Sequence, residues 1–222
     1  MGNETEIKLK IDDPRAFQRA LKRLGARPAT SDSIRVREEN ILFDTADSSL
    51  AKAGQLLRIR TELRNPKGKR LAGQRVLLTF KRPIDESTNR EAAVFHRSYK
   101  VREELELAVT DGATLGRIFS GLGLKGWFRY EKYRSTYKLP AAKAWAKGLL
   151  IEFDETPIGI FAELEGPEPA IDRAAAELGF SKRDYIVKNY LLLHLEDCKR
   201  RGEPARDMLF PPASSDQKSR PR

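Results

Sequence analysis

The sequence predicts an α+β chain that is mainly β, an eight-stranded closed antiparallel β-barrel with flanking helices. Three observations predict it. Eight stretches alternate apolar and polar residues with a period of two, and most are joined by short turns. Helical periodicity is confined to a few segments, which does not suit a βαβ arrangement. Charges of both signs recur at strand centres, and a sheet that closes with those faces inward leaves its apolar exterior for helices to cover.

The elements follow in order. Glu4-Thr5-Glu6-Ile7-Lys8-Leu9-Lys10-Ile11 alternates charge with apolar residues and reads as the first strand. Asp12 or Asp13 then caps a helix with Pro14 in its first turn, Phe17, Ala20, Leu21 and Leu24 on one face, and Gly25 at its end. Further strands are expected at 34–43, 54–63, 74–82, 98–108, 127–138, 149–155 and 160–166. Asp111 caps a short helix through Phe119 that ends near Gly121. Two more helices are expected at 168–178, stopped by Gly179, and at 182–200, with Ile186, Val187, Tyr190, Leu191 and Leu193 on the apolar side of the second. One domain therefore spans 1–201, and the Pro-, Ser- and charge-rich stretch 202–222 is expected to be a disordered tail.

Composition narrows the partners. Of 222 residues, 40% are hydrophobic and 33% charged, which supports a soluble core and argues against a membrane protein. Lys and Arg number 42 against 32 acids, a net charge of +10 that fits either an anionic partner or plain solubilising charge. The tail carries four bases and three acids, so the excess belongs to the folded body. The single Cys198 allows no intramolecular disulfide and fits a reducing cytosol. No apolar run approaches the ~20 residues that span a bilayer. The start MGNETEIKLKI has no signal-peptide core, and Glu6 spoils a myristoylation motif, so a cytoplasmic location is expected. His96 and His194 lack zinc-type spacing, there is no nucleophile elbow or P-loop, and Trp127 and Trp145 are expected to pack or to sit at a rim.

The faces of the strands are the informative feature. Glu4, Glu6 and Lys8 share one face, opposite Ile7, Leu9 and Ile11. Arg58, Arg60 and Glu62 oppose Leu57, Ile59 and Leu63, while Thr79 and Lys81 oppose Val76, Leu78 and Phe80. Arg102, Glu104 and Glu106 align, as do Lys132 with Arg134, Glu152 with Asp154, and Glu163 with Glu165. A solvated face is the ordinary explanation for one such strand. For the whole set, doubled arginines and doubled glutamates repel on their own faces unless something compensates. If the faces point inward, clustered carboxylates suit Mg²⁺ or Mn²⁺, and the Arg and Lys side chains suit phosphate oxygens. A metal-bound polyphosphate satisfies both.

These residues resemble the CYTH superfamily, also called the triphosphate tunnel metalloenzymes. Glu4-x-Glu6-x-Lys8 matches its ExExK signature. Phe43-Asp44-Thr45, Leu57-Arg58-Ile59-Arg60, Thr79-Phe80-Lys81, Arg102-x-Glu104-x-Glu106, Lys132-x-Arg134 and Glu163-x-Glu165 follow in the family's order, so the resemblance spans about 3–195. Leu42 stands where the family often has tyrosine, and a basic loop, RNPKGKRLAGQR, is added between the third and fourth strands.

The resemblance implies an eight-stranded tunnel holding a triphosphate and a divalent metal, Mg²⁺ or Mn²⁺. Lys8, Arg58, Arg60, Lys81 and Arg134 would grip phosphate, with Lys132 and Glu106 in support and Lys188 as a late basic residue. Glu4, Glu6, Glu163 and Glu165 would hold metal, with Asp154 and Glu104 binding metal or orienting water; Lys8, Glu104 and Asp154 are the catalytic candidates. The expected activity is metal-dependent hydrolysis of inorganic triphosphate, thiamine triphosphate or a nucleotide. A class IV adenylate cyclase and a non-catalytic module for polyphosphate or RNA 5′ ends remain open as alternatives. A membrane or a nucleic-acid partner is not expected, and oligomeric state is not readable.

Overall fold

The computed structural model describes residues 2–29, 35–64, 73–84 and 98–212. His96 and all but the ends of the basic loop lie outside the described residues. The strands are β1 (Gly2–Lys10), β2 (Arg27–Pro28), β3 (Val36–Asp44), β4 (Leu56–Arg64), β5 (Gly73–Pro83), β6 (Lys100–Val109), β7 (Lys125–Lys138), β8 (Leu150–Thr156) and β9 (Gly159–Glu165). Eight of them close into an antiparallel barrel in the order β7-β3-β4-β5-β6-β1-β9-β8, and β2 adds two residues to β7. Closure depends on β7. Its fourteen residues are long enough to pair with β3 from Lys125 to Arg134 and with β8 from Tyr133 to Tyr137.

The apolar faces point outward, as the alternation predicts, and helices cover them. Helix α1 (Pro14–Arg23) is capped by Asp13, whose carboxylate accepts from the Ala16 amide at 2.9 Å. Its Phe17, Ala20 and Leu21 pack with Ile7, Leu9, Ile151 and Leu164 from the barrel's outer face, joined by Ile171 and Ala174 of α4 (Glu168–Glu177). Between β3 and β4 lies α2 (Ser49–Lys52), a single turn the sequence reading did not foresee. Helix α3 (Gly112–Gly121), capped by Asp111, lays Phe119 on Phe43, Ile59 and Val76. One tight junction needs glycine: at Gly166, φ is +148°, and a Cβ would stand 2.7 Å from the Gly148 carbonyl oxygen.

Two sequence expectations are corrected. The helix foreseen at 182–200 is interrupted. Lys182–Asp184 forms a single 3-10 turn closed by hydrogen bonds from Ser181 to the Asp184 carboxylate, and the α-helix, α5, runs only from Tyr190 to Arg201, capped by Asn189. The sheet takes the residues between them. Opposite β1, strand β6 begins at the Lys100–Glu6 pair, leaving the Lys8 backbone open, and Ile186 fills it with two hydrogen bonds of 2.9 Å. The second correction concerns 202–222. Gly202 ends α5 in the left-handed region, and the chain then turns back along β7 where β8 leaves its edge unpaired. Met208, 1% exposed, exchanges 2.9 Å backbone hydrogen bonds with Arg129 and Glu131, and Asp207 pairs with Arg129 at 2.8 Å. The chain is therefore placed through 212, and 213–222 lie outside the described residues.

Removing the Met208 side chain empties a fully buried site beneath α5. Met208→Ala should cost about 2–5 kcal/mol, read as a lowered urea midpoint at unchanged slope. An unmoved midpoint would mean that the 203–212 strap adds nothing to the fold.

Candidate functional site

Closing the barrel turns the charged faces onto one cavity of about 430 Å³. Eight basic and seven acidic side chains line it. Of the residues expected at the site, Glu4, Glu6, Lys8, Arg58, Arg60, Lys81, Glu104, Glu106, Lys132, Arg134, Glu163 and Glu165 all reach this lining. They come from seven different strands, so their convergence follows from closure and alternation together.

The walls pair most of these charges. Lys8, 3% exposed, lies 3.3 Å from Glu6 and 3.4 Å from Glu163. Lys81 contacts Glu4 at 2.5 Å and Glu104 at 3.3 Å. Arg60 meets Glu106 at 2.6 Å, and Arg134 meets Glu163 at 2.9 Å and also pairs with Glu152. Arg58 donates to the Tyr130 hydroxyl at 2.9 Å and to Thr79 at 3.3 Å, both neutral partners. Pairing is nevertheless incomplete. The Nε atoms of Arg58 and Arg60 are buried and have no acceptor.

Electrostatics separate the carboxylates into two groups. Burial would raise Glu6 and Glu38, but Lys8 and Lys100 beside Glu6, and Lys132, Arg60 and Arg134 around Glu38, hold each near 2. Burial likewise opposes ionisation of Glu163, yet Arg134 and Lys8 keep it well below the usual range. Glu165 goes the other way: burial, then Glu4 and Glu104, push it up to about 7, and among the described residues it has no ion-pair partner. Burial and the neighbouring Glu163 raise Glu152 to about 8, although Arg134 works against this. Lys100 is pulled down to about 8 by burial and by Lys8.

These geometries and the strand order decide the family. The CYTH domain model matches residues 2–190. This chain belongs to the CYTH family. A protein of Methanocaldococcus jannaschii, provisionally named an adenylate cyclase, is 30% identical over 201 residues, covering 86% of this chain and 97% of its own. A protein of Pyrococcus horikoshii has the same fold at TM-score 0.63 and 22% identity, over 87% of this chain and 98% of its own. A Vibrio parahaemolyticus protein, provisionally described as an adenylate cyclase, superposes at TM-score 0.61 with 18% identity, over 88% and 97%.

Within this CYTH barrel two expected residues are placed differently. Lys188 lies outside the cavity, half exposed and 2.6 Å from Glu196. The extended segment around Ile186 explains it, because alternation there sends Lys188 outward and leaves Asn189 and Tyr190 to face the lumen. Asp154 has no exposed surface and does not line the cavity. Its carboxylate accepts from Lys132 at 2.9 Å, from Arg134 at 2.7 and 2.6 Å, and from the Tyr190 hydroxyl at 2.7 Å. It holds cations in place instead of meeting a ligand.

The sequence reading missed Glu38, Lys100, Tyr130 and Tyr190 as parts of this site. Lys100 shares the parity of Arg102 and Glu104, and Tyr130 that of Lys132, so a longer count along each strand finds both. Glu38 gives no such signal, because Arg37, Glu38, Glu39 and Asn40 are polar on both faces of β3.

The family's metal was tested against the donor set. Among the described residues no three His, Cys, Asp or Glu side chains converge as a preformed metal cage. The chemistry of the donors fits nonetheless: Glu4, Glu6, Glu104 and Glu165 crowd one another, and burial together with this repulsion raises Glu165. A hard divalent cation is the partner that such a cluster lacks.

Glu38 offers a stability test at the opposite pole. Its pKa falls from an ordinary 4.5 to about 2, so it stabilises the fold above pH 4.5 and loses that contribution as pH falls towards 2. Glu38→Gln should cost about 3 kcal/mol in urea unfolding at pH 7, with the difference from the parent shrinking between pH 4.5 and 2. A pH-independent difference would show that the charge of Glu38 is not what matters.

Proposed function

We propose that this protein is a divalent-metal-dependent hydrolase that cleaves the terminal phosphate from a triphosphate held in the barrel lumen. One observation carries the reading: the lumen is deficient in both kinds of partner at once. The Arg58 and Arg60 Nε atoms lack acceptors, while Glu165 is buried among carboxylates without a cation. A metal-bound triphosphate removes both deficits. The cytoplasmic location expected from sequence fits such a substrate, and no helix among the described residues is long and apolar enough to cross a membrane.

In this reading Arg58, Arg60, Lys8, Lys81 and Arg134 bind phosphate oxygens, and Lys132 is held ready by Asp154 and Glu38. Glu4, Glu6, Glu163 and Glu165 would hold Mg²⁺ or Mn²⁺, which supplies charge neutralisation at the phosphate oxygens when bound. Glu104, 3.3 Å from Lys81 at the cavity wall, orients the attacking water and accepts its proton. Water oxygen bonds to the terminal phosphorus, the bridging P–O bond breaks, and phosphate and a diphosphate leave. Asp154 acts as a positioning residue through Lys132, Arg134 and Tyr190.

A second reading is favoured by the name of the Methanocaldococcus relative: adenylate cyclase. The same lumen would then hold ATP while its ribose 3′-oxygen attacks the α-phosphorus and pyrophosphate leaves.

Product analysis decides between them. With Mg²⁺ or Mn²⁺, free phosphate from inorganic triphosphate or thiamine triphosphate and no cyclic AMP from ATP is the expected result. Cyclic AMP with pyrophosphate would replace the hydrolase reading by the cyclase, and no product from any substrate would leave the binding module. Glu4→Gln should remove metal-dependent turnover while the circular-dichroism spectrum stays that of the parent. Full activity in that variant would falsify the metal assignment. Arg58→Ala should weaken triphosphate binding by roughly tenfold to a hundredfold, since a hydrogen bond to a charged group contributes about 1.5–3 kcal/mol.

A further inference from the structure

Beside the lumen, under the start of α5, lies a second hollow of about 260 Å³ whose walls differ in kind from the tunnel. It shares Leu56, Arg102 and Asn189 with the tunnel lining, so the two spaces adjoin. Its other walls are mostly apolar: Leu42, Phe43, Leu57, Trp127, Leu191 and Leu192. Trp127 is 47% exposed and Leu192 46% exposed, in a chain whose remaining aromatic residues near the lumen are buried. Asp44, at the base, is occupied internally: its carboxylate accepts from the amides of Thr45, Leu50 and Ala51. It therefore fixes the floor and adds no free charge.

Arg102 stands where the hollow meets the tunnel. It is half-buried, burial works against its charge, and Glu6 and Glu4 offset this only in part. Among the described residues it has no ion-pair partner, unlike Lys8, Arg60, Lys81 and Arg134 deeper in the lumen. A cation short of an anion at the junction, followed by an apolar hollow with an exposed indole, matches an organic triphosphate in both of its parts. The phosphate nearest the organic group meets Arg102, and a planar heterocycle lies against Trp127 and Leu192. Inorganic triphosphate has nothing to place there.

We propose that the hollow bounded by Trp127, Leu192 and Leu57 is a binding site for the aromatic ring of an organic triphosphate, joined to the tunnel through Arg102. The proposal rests on the tunnel reading given above and narrows its substrate. Gln55 and Asn189 are the polar groups on its rim able to read ring nitrogens and amino groups, with the Asn189 carbonyl already engaged by the Leu192 amide at 2.9 Å.

The test compares dissociation constants for ATP, thiamine triphosphate and inorganic triphosphate in the intact protein with Ca²⁺ in place of the activating metal. The parent should bind ATP or thiamine triphosphate more tightly than inorganic triphosphate. Trp127→Ala and, separately, Leu192→Glu should lower that preference by about tenfold, the size of one base–aromatic contact. The arm that responds identifies the ring as a nucleobase or as that of thiamine. An unmoved preference in both variants, with inorganic triphosphate still bound, overturns the pocket and leaves the tunnel reading standing. If the parent binds no triphosphate and Arg58→Ala changes nothing, the tunnel reading fails and the pocket falls with it. An unmoved preference together with a smaller sedimenting species for Leu192→Glu would assign the apolar patch to a second copy of the chain and equally overturn the pocket.

Discussion

Asp154 has no contact with solvent, yet a lysine, an arginine and a tyrosine hydroxyl all converge on its two oxygens. A closed barrel with a charged interior depends on junctions of this kind, because each ion taken from water costs several kcal/mol unless opposite charge and hydrogen bonds replace its hydration. Here Lys132 bridges Asp154 and Glu38, Arg134 bridges Asp154, Glu152 and Glu163, and Lys8 links Glu163 to Glu6. The lumen wall is thus one connected network. Its rigidity fixes where the unpaired donors and the uncompensated carboxylates point. Tyr190 ties α5 into the same network, its ring 5.3 Å from the Lys8 ammonium and 5.1 Å from that of Lys132.

The apolar exterior follows from the same constraint. If charges occupy the inner face of every strand, period-two alternation sends the apolar residues outward, where they need a cover. Helices α1 and α4 bury Ile7, Leu9, Ile151 and Leu164, and α3 buries Phe43 and Ile59. The barrel is therefore inside out relative to a sandwich, with its hydrophobic core as a shell. This arrangement is why charge at strand centres identified the fold: a solvated sheet face has no reason to carry Arg58 and Arg60 on one strand and Glu163 and Glu165 on another.

Legibility in the sequence tracked how local the deciding interaction is. Strand limits, the Asp13 and Asp111 caps and the inward set from Glu4 to Glu165 could be read from alternation and turn chemistry, which act over a few residues. The break at 185–189 could not, because Ile186 leaves helical geometry to fill an edge position opposite Lys8, some 180 residues earlier. Lys188 went astray with it. Met208 follows the same rule: the Pro-rich stretch around it has the composition of a tail, but an unpaired edge on β7 captures it. Glu38 was lost for a different reason, since a strand polar on both faces hides its parity.

The connected network also locates specificity. Arg60, Lys8 and Arg134 contact whatever triphosphate enters in the same way, because phosphate oxygens are alike in inorganic, nucleotide and vitamin forms. Changing one of these cations breaks several ion pairs at once, so the lumen has little freedom to be tuned. The rim is different. Leu56, Trp127 and Leu192 belong to no salt-bridge network, and exposed side chains can vary at small cost to stability. Hydrolysis and cyclisation then differ in which oxygen is brought in line with phosphorus, water at the terminal phosphate or a ribose hydroxyl at the first. The orientation of the organic group selects that oxygen, so the rim governs the reaction as well as the substrate.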